Sequence, residues 1–384
     1  MQQVVSSEFK LGIITGGQLG KMLTLAAKNW DVQTYIMDTS KNCPSANSCN
    51  KVIIGDYTSF DDVYNFGKQV DMVTIEIENV NADALLKLKN EGKKVYPDPQ
   101  HLKLIQDKGL QKQFYEKHSI PTSPFQLFNS AEEIQKAVKS GAVSLPFVQK
   151  TRTAGYDGKG VFVVKEEEDL DNLLQAPSVV EHKVNIEKEI AVIVCKSTTE
   201  EVKTFPAVEM EFNPTANLVE FLICPANISK ELEEEAAQLA ETVIKTLNME
   251  GILAVEMFLD KNGKLLVNEV APRPHNSGHH TIESAFTSQY EQHLRAIFGF
   301  PLGSTELKIP SVMINILGSS GYEGKVKYEG LNACMGVEGI KLHIYGKKET
   351  RPFRKMGHAT ILNQNIEKAK ENARFVQQNL KVIS

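Results

Sequence analysis

The chain has 384 residues, 41% of them apolar and 24% charged, which is the composition of an ordinary globular protein and excludes a disordered or fibrous chain. Its formal net charge of -5 gives no reason to expect a nucleic acid as the main partner. No apolar run approaches the roughly 18 residues of a membrane helix, and residues 1–10 do not resemble a signal peptide, so we expect a cytoplasmic protein without membrane contact.

The N-terminal quarter of the chain alternates between short apolar runs and amphipathic segments. We predict strands at residues 9–15, 32–37, 52–54 and 72–77, and helices at residues 18–28, 60–68 and 82–90. This βαβ rhythm is typical of a parallel sheet covered on both faces. Ligands of such sheets bind at the carboxyl ends of the strands.

A Tyr-Pro-Asp-Pro segment at residues 96–99 ends this rhythm, and we place a domain boundary just after it. The rest of the chain is predicted to contain one helix at 102–118, a rigid connector at 120–124, β-hairpin spacing at 146–164, an amphipathic helix at 229–247, strands at 253–259 and 265–270, strand-like runs from about 309, and a last helix at 366–380.

Two glycine-rich segments have the composition of phosphate-binding loops. Residues 16–20 have the spacing G-G-x-x-G rather than the dinucleotide pattern G-x-G-x-x-G, and a tight turn without a ligand is the alternative. Residues 155–160 place three glycines and a lysine between two β-segments, which suits a flap over phosphates; a mobile hairpin tip is the alternative. Lys150 ends the inbound strand and is either a phosphate ligand or a solvated surface charge.

Glu256 and Glu269 lie on the two arms of a predicted hairpin. If Asn262-Gly263 forms a two-residue turn, the two glutamates are directly opposed, with their β-carbons only about 5 Å apart. A four-residue loop would leave them as diagonal neighbours, and a three-residue loop would put them on opposite faces. Two inward carboxylates need a cation or a shared proton, and oxygen ligands favour Mg²⁺, with Asn268 as a further donor. The alternative is neutralisation of both by Arg or Lys.

Two polar segments follow the hairpin. Residues 273–280 hold three histidines and an arginine in a loop, but neither an H-x-x-x-H helix nor a cysteine partner supports zinc. Residues 347–355 form a basic cluster, which favours a single phosphate monoester over nucleic acid; a solvated charged loop is the alternative.

The five cysteines fit neither a disulfide framework nor a zinc ribbon, and a Cys43/Cys49 redox pair is the alternative.

Together these segments resemble the ATP-grasp superfamily, and within it the 5-(carboxyamino)imidazole ribonucleotide synthetases of purine biosynthesis. The resemblance is carried, in order along almost the whole chain, by residues 16–20, 76–79, 107–108, 155–160, 268–279 and 351–358. It implies an α/β fold with an N-terminal Rossmann-like parallel-sheet domain at 1–103, a central ATP-grasp domain at 104–303 with a flap subdomain at about 121–180, and a small β-rich C-terminal domain at 304–384.

The resemblance also implies an ATP site. Its expected residues are Lys108, Lys150, Gly155, Tyr156, Asp157, Gly158, Lys159, Gly160, Glu181, His182, Lys183, Val184, Glu189, Asn268 and Glu269. Residues 181–184 are expected at the adenine edge and Glu189 at the ribose. Glu256 and Glu269 are the expected ligands of Mg²⁺, as one ion or two and with Mn²⁺ as a substitute.

The implied reaction combines ATP, bicarbonate and aminoimidazole ribonucleotide into N5-carboxyaminoimidazole ribonucleotide, ADP and phosphate by way of carboxyphosphate. The expected ribonucleotide contacts are Gln18, Leu19, Glu76 and Asn276, with Lys348, Arg351, Arg354 and Lys355 as the 5′-phosphate clamp. The expected catalytic residues are Tyr156, Lys150, Arg273 and His275. A homodimer is expected from the family alone.

Three alternatives are left open. One is another ATP-grasp ligase of the formate-dependent glycinamide ribonucleotide transformylase or biotin carboxylase type. The second is a non-catalytic nucleotide-binding protein of the same fold. The third is an NAD-dependent dehydrogenase, against which the G-G-x-x-G spacing and the second glycine loop count.

Overall fold

The structure is a computed structural model and describes residues 6–153, 155, 160–212 and 219–384. The strands are β1 (Lys10–Ile14), β2 (Gln33–Asp38), β3 (Lys51–Ile54), β4 (Met72–Ile75), β5 (Lys94–Val95), β6 (Phe125–Phe128), β7 (Phe147–Thr151), β8 (Val161–Val164), β9 (Ser178–His182), β10 (Ile186–Lys196), β11 (Val202–Thr204), β12 (Val208–Phe212), β13 (Val219–Cys224), β14 (Gly251–Asp260), β15 (Leu265–Ala271), β16 (Ser311–Leu317), β17 (Gly324–Lys325), β18 (Lys327–Glu329), β19 (Ile340–Ile344), β20 (Glu349–Thr350), β21 (Lys355–Leu362) and β22 (Lys381–Ile383). The helices are α1 (Gln18–Lys28), α2 (Phe60–Gly67), α3 (Ala82–Asn90), α4 (Pro99–Gln106), α5 (Lys108–Lys117), α6 (Ala131–Lys139), α7 (Lys230–Leu247), α8 (Thr281–Ser284), α9 (Gln289–Phe298), α10 (Leu331–Met335) and α11 (Ile366–Asn379).

The N-terminal strands form the predicted parallel sheet, in the order β3-β2-β1-β4-β5. The central strand β1 pairs in parallel with both β2 and β4 and is almost completely buried, which explains its continuous apolar run. Helices α2 and α3 begin at Ser59 and Asn81, whose side chains accept hydrogen bonds from the first-turn N–H groups. The predicted βαβ rhythm is therefore confirmed.

The single helix predicted at residues 102–118 is wrong, because the segment forms two helices that meet at Asp107. The backbone of Asp107 is extended, with φ -117° and ψ 109°. Its carboxylate accepts hydrogen bonds from the N–H groups of Gly109 and Leu110 and so caps the second helix. Apolar periodicity alone does not detect this break, since an aspartate can occupy either a helix interior or a cap.

The middle of the chain contains two antiparallel sheets. A four-stranded sheet has the order β6-β9-β7-β8 and includes the predicted hairpin on either side of the second glycine segment. A nine-stranded sheet runs β15-β14-β10-β12-β13-β16-β21-β19, with β11 also paired to β10. The stripe predicted on α7, which includes Ala236, Ala240, Val243 and Leu247, is buried in the core that covers β10 and β14.

The nine-stranded sheet continues into the C-terminal part of the chain through the pairing of β13 with β16, where Phe221 lies opposite Ile314. Helix α11 packs on β16 and β21 and buries Ala369, Ala373 and Val376. Because backbone hydrogen bonds connect the central and C-terminal strands, the basic cluster at 347–355 is attached firmly to the central sheet.

All five cysteines lie in the described part of the chain and are free thiols. Burial, reinforced by Asp38, raises the pKa of Cys43 to about 11, so this thiol is poorly reactive at neutral pH. Among the described residues, no helix has both the length and the apolar character that a bilayer-spanning segment requires.

Candidate active site

The first glycine segment surrounds a carboxylate of the protein itself. Glu76, which follows β4 and is 4% exposed, accepts hydrogen bonds from the N–H groups of Gly17 and Gly20 at the beginning of α1. A β-carbon on Gly17 would collide with this carboxylate, so the approach requires glycine there. The anion at the positive end of α1 is therefore Glu76, and Gln18 and Leu19 lie in the same turn.

Glu256 and Glu269 are paired directly across β14 and β15, although the turn does not have two residues. Leu259 pairs with Leu265, and the Asp260 N–H donates to the carbonyl of Lys264 at 3.0 Å, which leaves a three-residue loop with Gly263 at φ +81°. This is the loop length that was expected to put the two glutamates on opposite faces, and that expectation was wrong. A register shift between Glu256 and Met257 compensates, because the partner strand contains one extra residue there, and Glu269 comes to lie opposite Glu256.

Three carboxylates share this region of the sheet. Burial, reinforced by Glu269 and Glu189, raises the pKa of Glu256. Burial also raises the pKa of Glu189 to about 7, although Lys150 opposes the shift. At Glu269 burial acts in the same direction, but the charges of Lys108 and Lys150 outweigh it and lower the pKa. The Glu256–Glu269 pair thus combines a carboxylate with a raised pKa and one with a lowered pKa.

Lys108 is the first residue of α5, and its ammonium forms an ion pair with the Glu269 carboxylate. Burial lowers the pKa of Lys108, but Glu269 and other nearby carboxylates outweigh burial and raise it. Lys108 is therefore a cation held at the edge of the carboxylate pair.

Lys150 on β7 is buried rather than solvated. Its ammonium donates to Asn268 Oδ1 at 2.7 Å and lies 3.1 Å from a Glu181 carboxylate oxygen. The other Glu181 oxygen lies 3.2 Å from the ammonium of Lys112. Glu181 and Lys150 belong to the four-stranded sheet, whereas Asn268 belongs to the nine-stranded sheet. The site therefore lies where the two sheets meet.

The expected adenine segment begins at Glu181 on β9. Whereas the Glu181 side chain is 4% exposed and paired with two lysines, His182 and Lys183 are exposed and Val184 is half-buried. The Ser123 hydroxyl donates to the carbonyl of His182 at 2.8 Å and fixes the end of this strand. The exposed stretch after β9 is therefore the part of this segment that a ligand can reach.

Arg273 and His275 follow β15 and extend the site toward the N-terminal sheet. The Arg273 guanidinium forms an ion pair with Glu78 at 2.9 Å, and among the described residues its buried Nε has no hydrogen-bond partner. His275 Nε2 lies 3.5 Å from the Glu256 carboxylate, and its Nδ1 is 2.9 Å from the Ser277 hydroxyl. Asn276 begins the short 3-10 turn Asn276–Gly278 next to them.

The basic segment is formed by the loop around β20 and the beginning of β21. Lys348 and Arg351 are exposed, and Arg354 and Lys355 are half-buried. Arg354 donates to the carbonyl of Glu349 at 2.6 Å, which fixes its guanidinium along the loop. The segment therefore presents cationic side chains on a backbone attached to the sheet.

His279 and His358 are buried next to each other rather than exposed to a ligand. His279 and His358 are buried with ring centroids 4.6 Å apart, and their Nδ1 atoms lie 3.0 Å from the hydroxyls of Tyr290 and Tyr345. Burial lowers the pKa of both histidines well below 6.5. Within the described residues, no group of three or more His, Cys, Asp or Glu side chains is arranged to hold a metal.

Tyr156, Asp157, Gly158 and Lys159 lie outside the described residues, and Gly160 has φ +75°. Two partners that complete the site, Lys112 and Glu78, were not among the residues predicted from the sequence. Lys112 lies one helical turn after Lys108, so its spacing was an available indication that both lysines occupy one face of α5. Glu78 lies within the segment 76–79, which the sequence analysis identified. Its ion pair with Arg273 joins distant parts of the chain, so no local pattern indicates it.

Comparison with known families matches most of the chain in three consecutive parts. Residues 9–106 match the ribonucleotide synthetase preATP-grasp domain, residues 113–290 match the ATP-grasp domain, and residues 311–372 match the phosphoribosylaminoimidazole carboxylase C-terminal domain. The two sheets with a lysine- and carboxylate-lined site between them agree with these matches. The chain is an ATP-grasp enzyme.

Similar individual proteins indicate which family of ATP-grasp enzymes the chain belongs to. The N5-carboxyaminoimidazole ribonucleotide synthase of Bacillus subtilis (strain 168) is 38% identical over 371 residues, which cover 94% of this chain and 94% of that protein. The crystal structure of N5-carboxyaminoimidazole ribonucleotide synthetase from Thermotoga maritima has a TM-score of 0.90 at 42% identity, covering 98% of this chain and 99% of that chain. An Aspergillus clavatus N5-carboxyaminoimidazole synthase in complex with ADP and 5-aminoimidazole ribonucleotide has a TM-score of 0.88 at 29% identity, covering 97% of this chain and 98% of that chain.

Some curated relatives named phosphoribosylaminoimidazole carboxylase are longer, and the chain spans 66% of the length of the one from Vigna aconitifolia. The curated relatives from Bacillus subtilis (strain 168) and Staphylococcus aureus (strain COL), of whose length the chain covers 94% and 95%, share the name N5-carboxyaminoimidazole ribonucleotide synthase. The chain belongs to the N5-carboxyaminoimidazole ribonucleotide synthase family. It is therefore an ATP-dependent ligase, which rules out the dehydrogenase, and the family match favours this ligase over the other ATP-grasp types.

Proposed function

We propose that this chain uses ATP and bicarbonate to carboxylate the exocyclic amine of aminoimidazole ribonucleotide, giving N5-carboxyaminoimidazole ribonucleotide, ADP and phosphate in purine biosynthesis. The observation that carries the proposal is the direct pairing of Glu256 with Glu269, flanked by the ammonium groups of Lys108 and Lys150. This arrangement suits a nucleotide triphosphate with a divalent cation, and the family supplies the remaining substrates.

The nucleotide would occupy the junction of the two sheets. Lys108 and Lys150 would bind its phosphates, Glu189 its ribose hydroxyls, and residues 181–184 its adenine edge. The positions of these residues support the proposed contacts. Lys150 contacts Asn268 across the junction of the two sheets, and Glu189 lies close to the Glu256–Glu269 pair. The segment 155–160 would contribute to phosphate binding, and Tyr156 would act on the bicarbonate.

Magnesium fits the residues present. Glu256 and Glu269 provide charged oxygens on neighbouring strands, and Asn268 provides a neutral one. A site with two carboxylates and few other ligands suits Mg²⁺, which usually keeps waters and substrate phosphates in its coordination shell. Mn²⁺ would be a substitute, and one ion or two would be held. When bound, the ion would neutralise charge on the phosphates.

The ribonucleotide would lie between the N-terminal sheet and the C-terminal segment. Gln18 and Leu19 begin α1 at the carboxyl end of β1, where ligands of parallel sheets bind. Glu76 would act on the substrate through the turn that it holds, and Asn276 from the opposite side. The 5′-phosphate clamp would consist of Lys348, Arg351, Arg354 and Lys355, whose cations match phosphate oxygens.

The reaction would proceed in two displacements. A bicarbonate oxygen attacks the γ-phosphorus, the bond to the bridging oxygen of ADP breaks, and carboxyphosphate forms. The exocyclic amine then attacks the carboxyl carbon of carboxyphosphate, with loss of phosphate, or the carbon of the CO₂ that carboxyphosphate releases together with phosphate, and the amine loses a proton. Arg273 and His275 would hold the bicarbonate end, since Arg273 has a buried donor without a partner in the described chain. Positioning and charge stabilisation would do most of the catalysis.

Three further features belong to this proposal. The chain would divide into domains at 1–103, 104–303 and 304–384, with the flap subdomain at about 121–180. It would act as a homodimer, which is the expectation for the family. It would act in the cytoplasm, which is consistent with the composition of the chain.

The test is ADP release measured with aminoimidazole ribonucleotide and bicarbonate each present or omitted. We expect rapid release only when both are present with Mg²⁺ and ATP, and carboxylated product in equal amount. ADP release that ignores the ribonucleotide, or no turnover with all substrates present, would contradict the proposal; the second result would favour a non-catalytic nucleotide-binding protein.

A further inference from the structure

Lys112 is a buried cation that the proposed reaction does not use. Its side chain is 3% exposed, so no ligand can reach its ammonium in this structure. It lies on α5 one turn after Lys108, and the ammonium is 3.2 Å from Glu181. A buried lysine is costly unless it is paired, so the charge of Lys112 requires a reason.

The charges around Glu181 provide that reason. This one buried carboxylate lies between two ammonium groups, Lys112 at 3.2 Å and Lys150 at 3.1 Å. Without Lys112, Glu181 would neutralise Lys150 in a closed ion pair. With Lys112 present, the three groups together retain one positive charge, and only Lys150 is close enough to Asn268 to deliver it into the site.

Lys112 also fixes the strand on which the carboxylate pair is built. Its ammonium donates to the Thr122 hydroxyl at 2.6 Å, and that hydroxyl donates to the carbonyl of Val267 at 2.7 Å. Val267 directly precedes Asn268 on β15, and its N–H donates to the carbonyl of Pro121 at 2.8 Å. One side chain therefore contacts both the strand that carries Glu181 and the connector that holds β15.

We propose that Lys112 is a positioning residue for the nucleotide phosphates: it compensates the charge of Glu181, so that Lys150 keeps a positive charge for the nucleotide. This inference rests on the proposed role of Lys150. Lys112 acts through the buried side chain of Glu181, whereas the adenine would contact the exposed stretch after it, which begins at His182. The removal of Lys112 therefore weakens phosphate binding and leaves the binding of the nucleoside unaffected.

The test compares the dissociation constants of ADP and adenosine, measured by calorimetry, for the full-length chain and its variants. We expect Lys112→Met to weaken ADP binding about tenfold to a hundredfold, which is the change in affinity that corresponds to the loss of one hydrogen bond to a charged group. Adenosine binding should be unchanged. Adding Glu181→Gln removes the uncompensated carboxylate and should restore part of the ADP affinity. Lys117→Met, an exposed lysine on the same helix, is the matched control and should change neither constant.

Unchanged ADP affinity in Lys112→Met, or an equal loss for ADP and adenosine, would overturn the inference. Failure of Glu181→Gln to restore any affinity would also overturn the charge argument. If Lys112→Met does not fold, Lys112→Gln removes the charge but keeps a donor for Thr122, and the same comparison applies. Lys150→Met in the same assay distinguishes a failure of the Lys112 inference from a failure of the proposed phosphate site. If Lys150→Met weakens ADP binding and Lys112→Gln does not, only the inference about Lys112 fails. If Lys150→Met has no effect on ADP binding, the proposed phosphate site itself is contradicted.

Discussion

Glu256 lies directly opposite Glu269 across two antiparallel strands, with one extra residue on the partner strand beside them. Like charges in such a pair destabilise a sheet. The protein reduces this cost by holding Lys108 against Glu269, while burial, reinforced by Glu269, raises the pKa of Glu256. Glu256 and Glu269 would together hold a divalent ion, which would neutralise charge on both carboxylates.

Glu269→Gln removes one charged oxygen ligand and leaves Lys108 without its counterion. We expect Mg²⁺-dependent turnover to fall by about a hundredfold or more, as when other preorganised charge-stabilising groups are removed. The measurement is ADP release over a titration of Mg²⁺, with circular dichroism to establish that the variant is folded. Glu187→Gln, on an exposed position of β10, is the control. Unchanged activity in folded Glu269→Gln would rule out the metal assignment.

Arg351→Gln tests the phosphate clamp. Because Arg351 is exposed at the basic segment, we expect the KM for aminoimidazole ribonucleotide to rise about tenfold to a hundredfold and the KM for ATP to stay unchanged. Steady-state kinetics with each substrate varied in turn will measure the effect. Lys341→Ala, an exposed cation on β19, is the control and should change neither constant. A substrate lacking the 5′-phosphate should react equally with parent and variant; a difference there would exclude the clamp.

Glu76→Ala removes the carboxylate that accepts from the N–H groups of Gly17 and Gly20. The free energy of unfolding should fall by about 3 kcal/mol, because hydrogen bonds to a charged group are lost and buried donors remain unpaired. Urea denaturation measures the change. Leu25→Ala, a half-exposed position on α1, should cost far less. Equal stability of Glu76→Ala and the parent would show that the carboxylate does not hold the turn.

Because four histidines are buried, we expect the free energy of unfolding to fall in acid. Burial lowers the pKa of His280 and His293 to about 4 and that of His279 and His358 well below 6.5. The unfolded chain takes up protons as pH falls through about 6.5, whereas the folded chain does not, so the stability present above that pH is lost as the pH falls toward 4. Each histidine should contribute about 1.4 kcal/mol of loss by pH 5.5.

His280→Gln provides the measurement, since glutamine can still donate to the carbonyl of Ser277. Between pH 8 and 5.5, urea denaturation of the variant should show about 1.4 kcal/mol less loss than the parent. Protonation of Glu256 acts in the opposite direction, and the comparison with the parent cancels it. His118→Gln, an exposed histidine, should follow the parent. Parallel curves for parent and His280→Gln would contradict the assigned burial effect.

Interactions between residues close together in the chain determine much of the fold. The apolar runs of β1 and β4 and the amphipathic helix α7 depend on periodicity and on neighbours within a few residues, and the sequence alone predicts them. The same holds for the order of the glycine, carboxylate and basic segments along the chain, which is specific enough to resemble one family. The choice of Asp107 as a cap rather than a helix residue is not decided locally, since both uses are compatible with its sequence.

The tertiary structure decided how distant residues share charges. Glu76 meets Gly17 across 59 residues and Lys150 meets Asn268 across 118, and neither distance leaves a periodic trace in the sequence. Direct opposition of Glu256 and Glu269 was expected only for a two-residue turn. The loop has three residues, and a bulge whose position depends on strand pairing restores the opposition. Sequence patterns indicate which side chains are buried and where the chain turns. The pairing of buried charges depends instead on how separate sheets pack against each other.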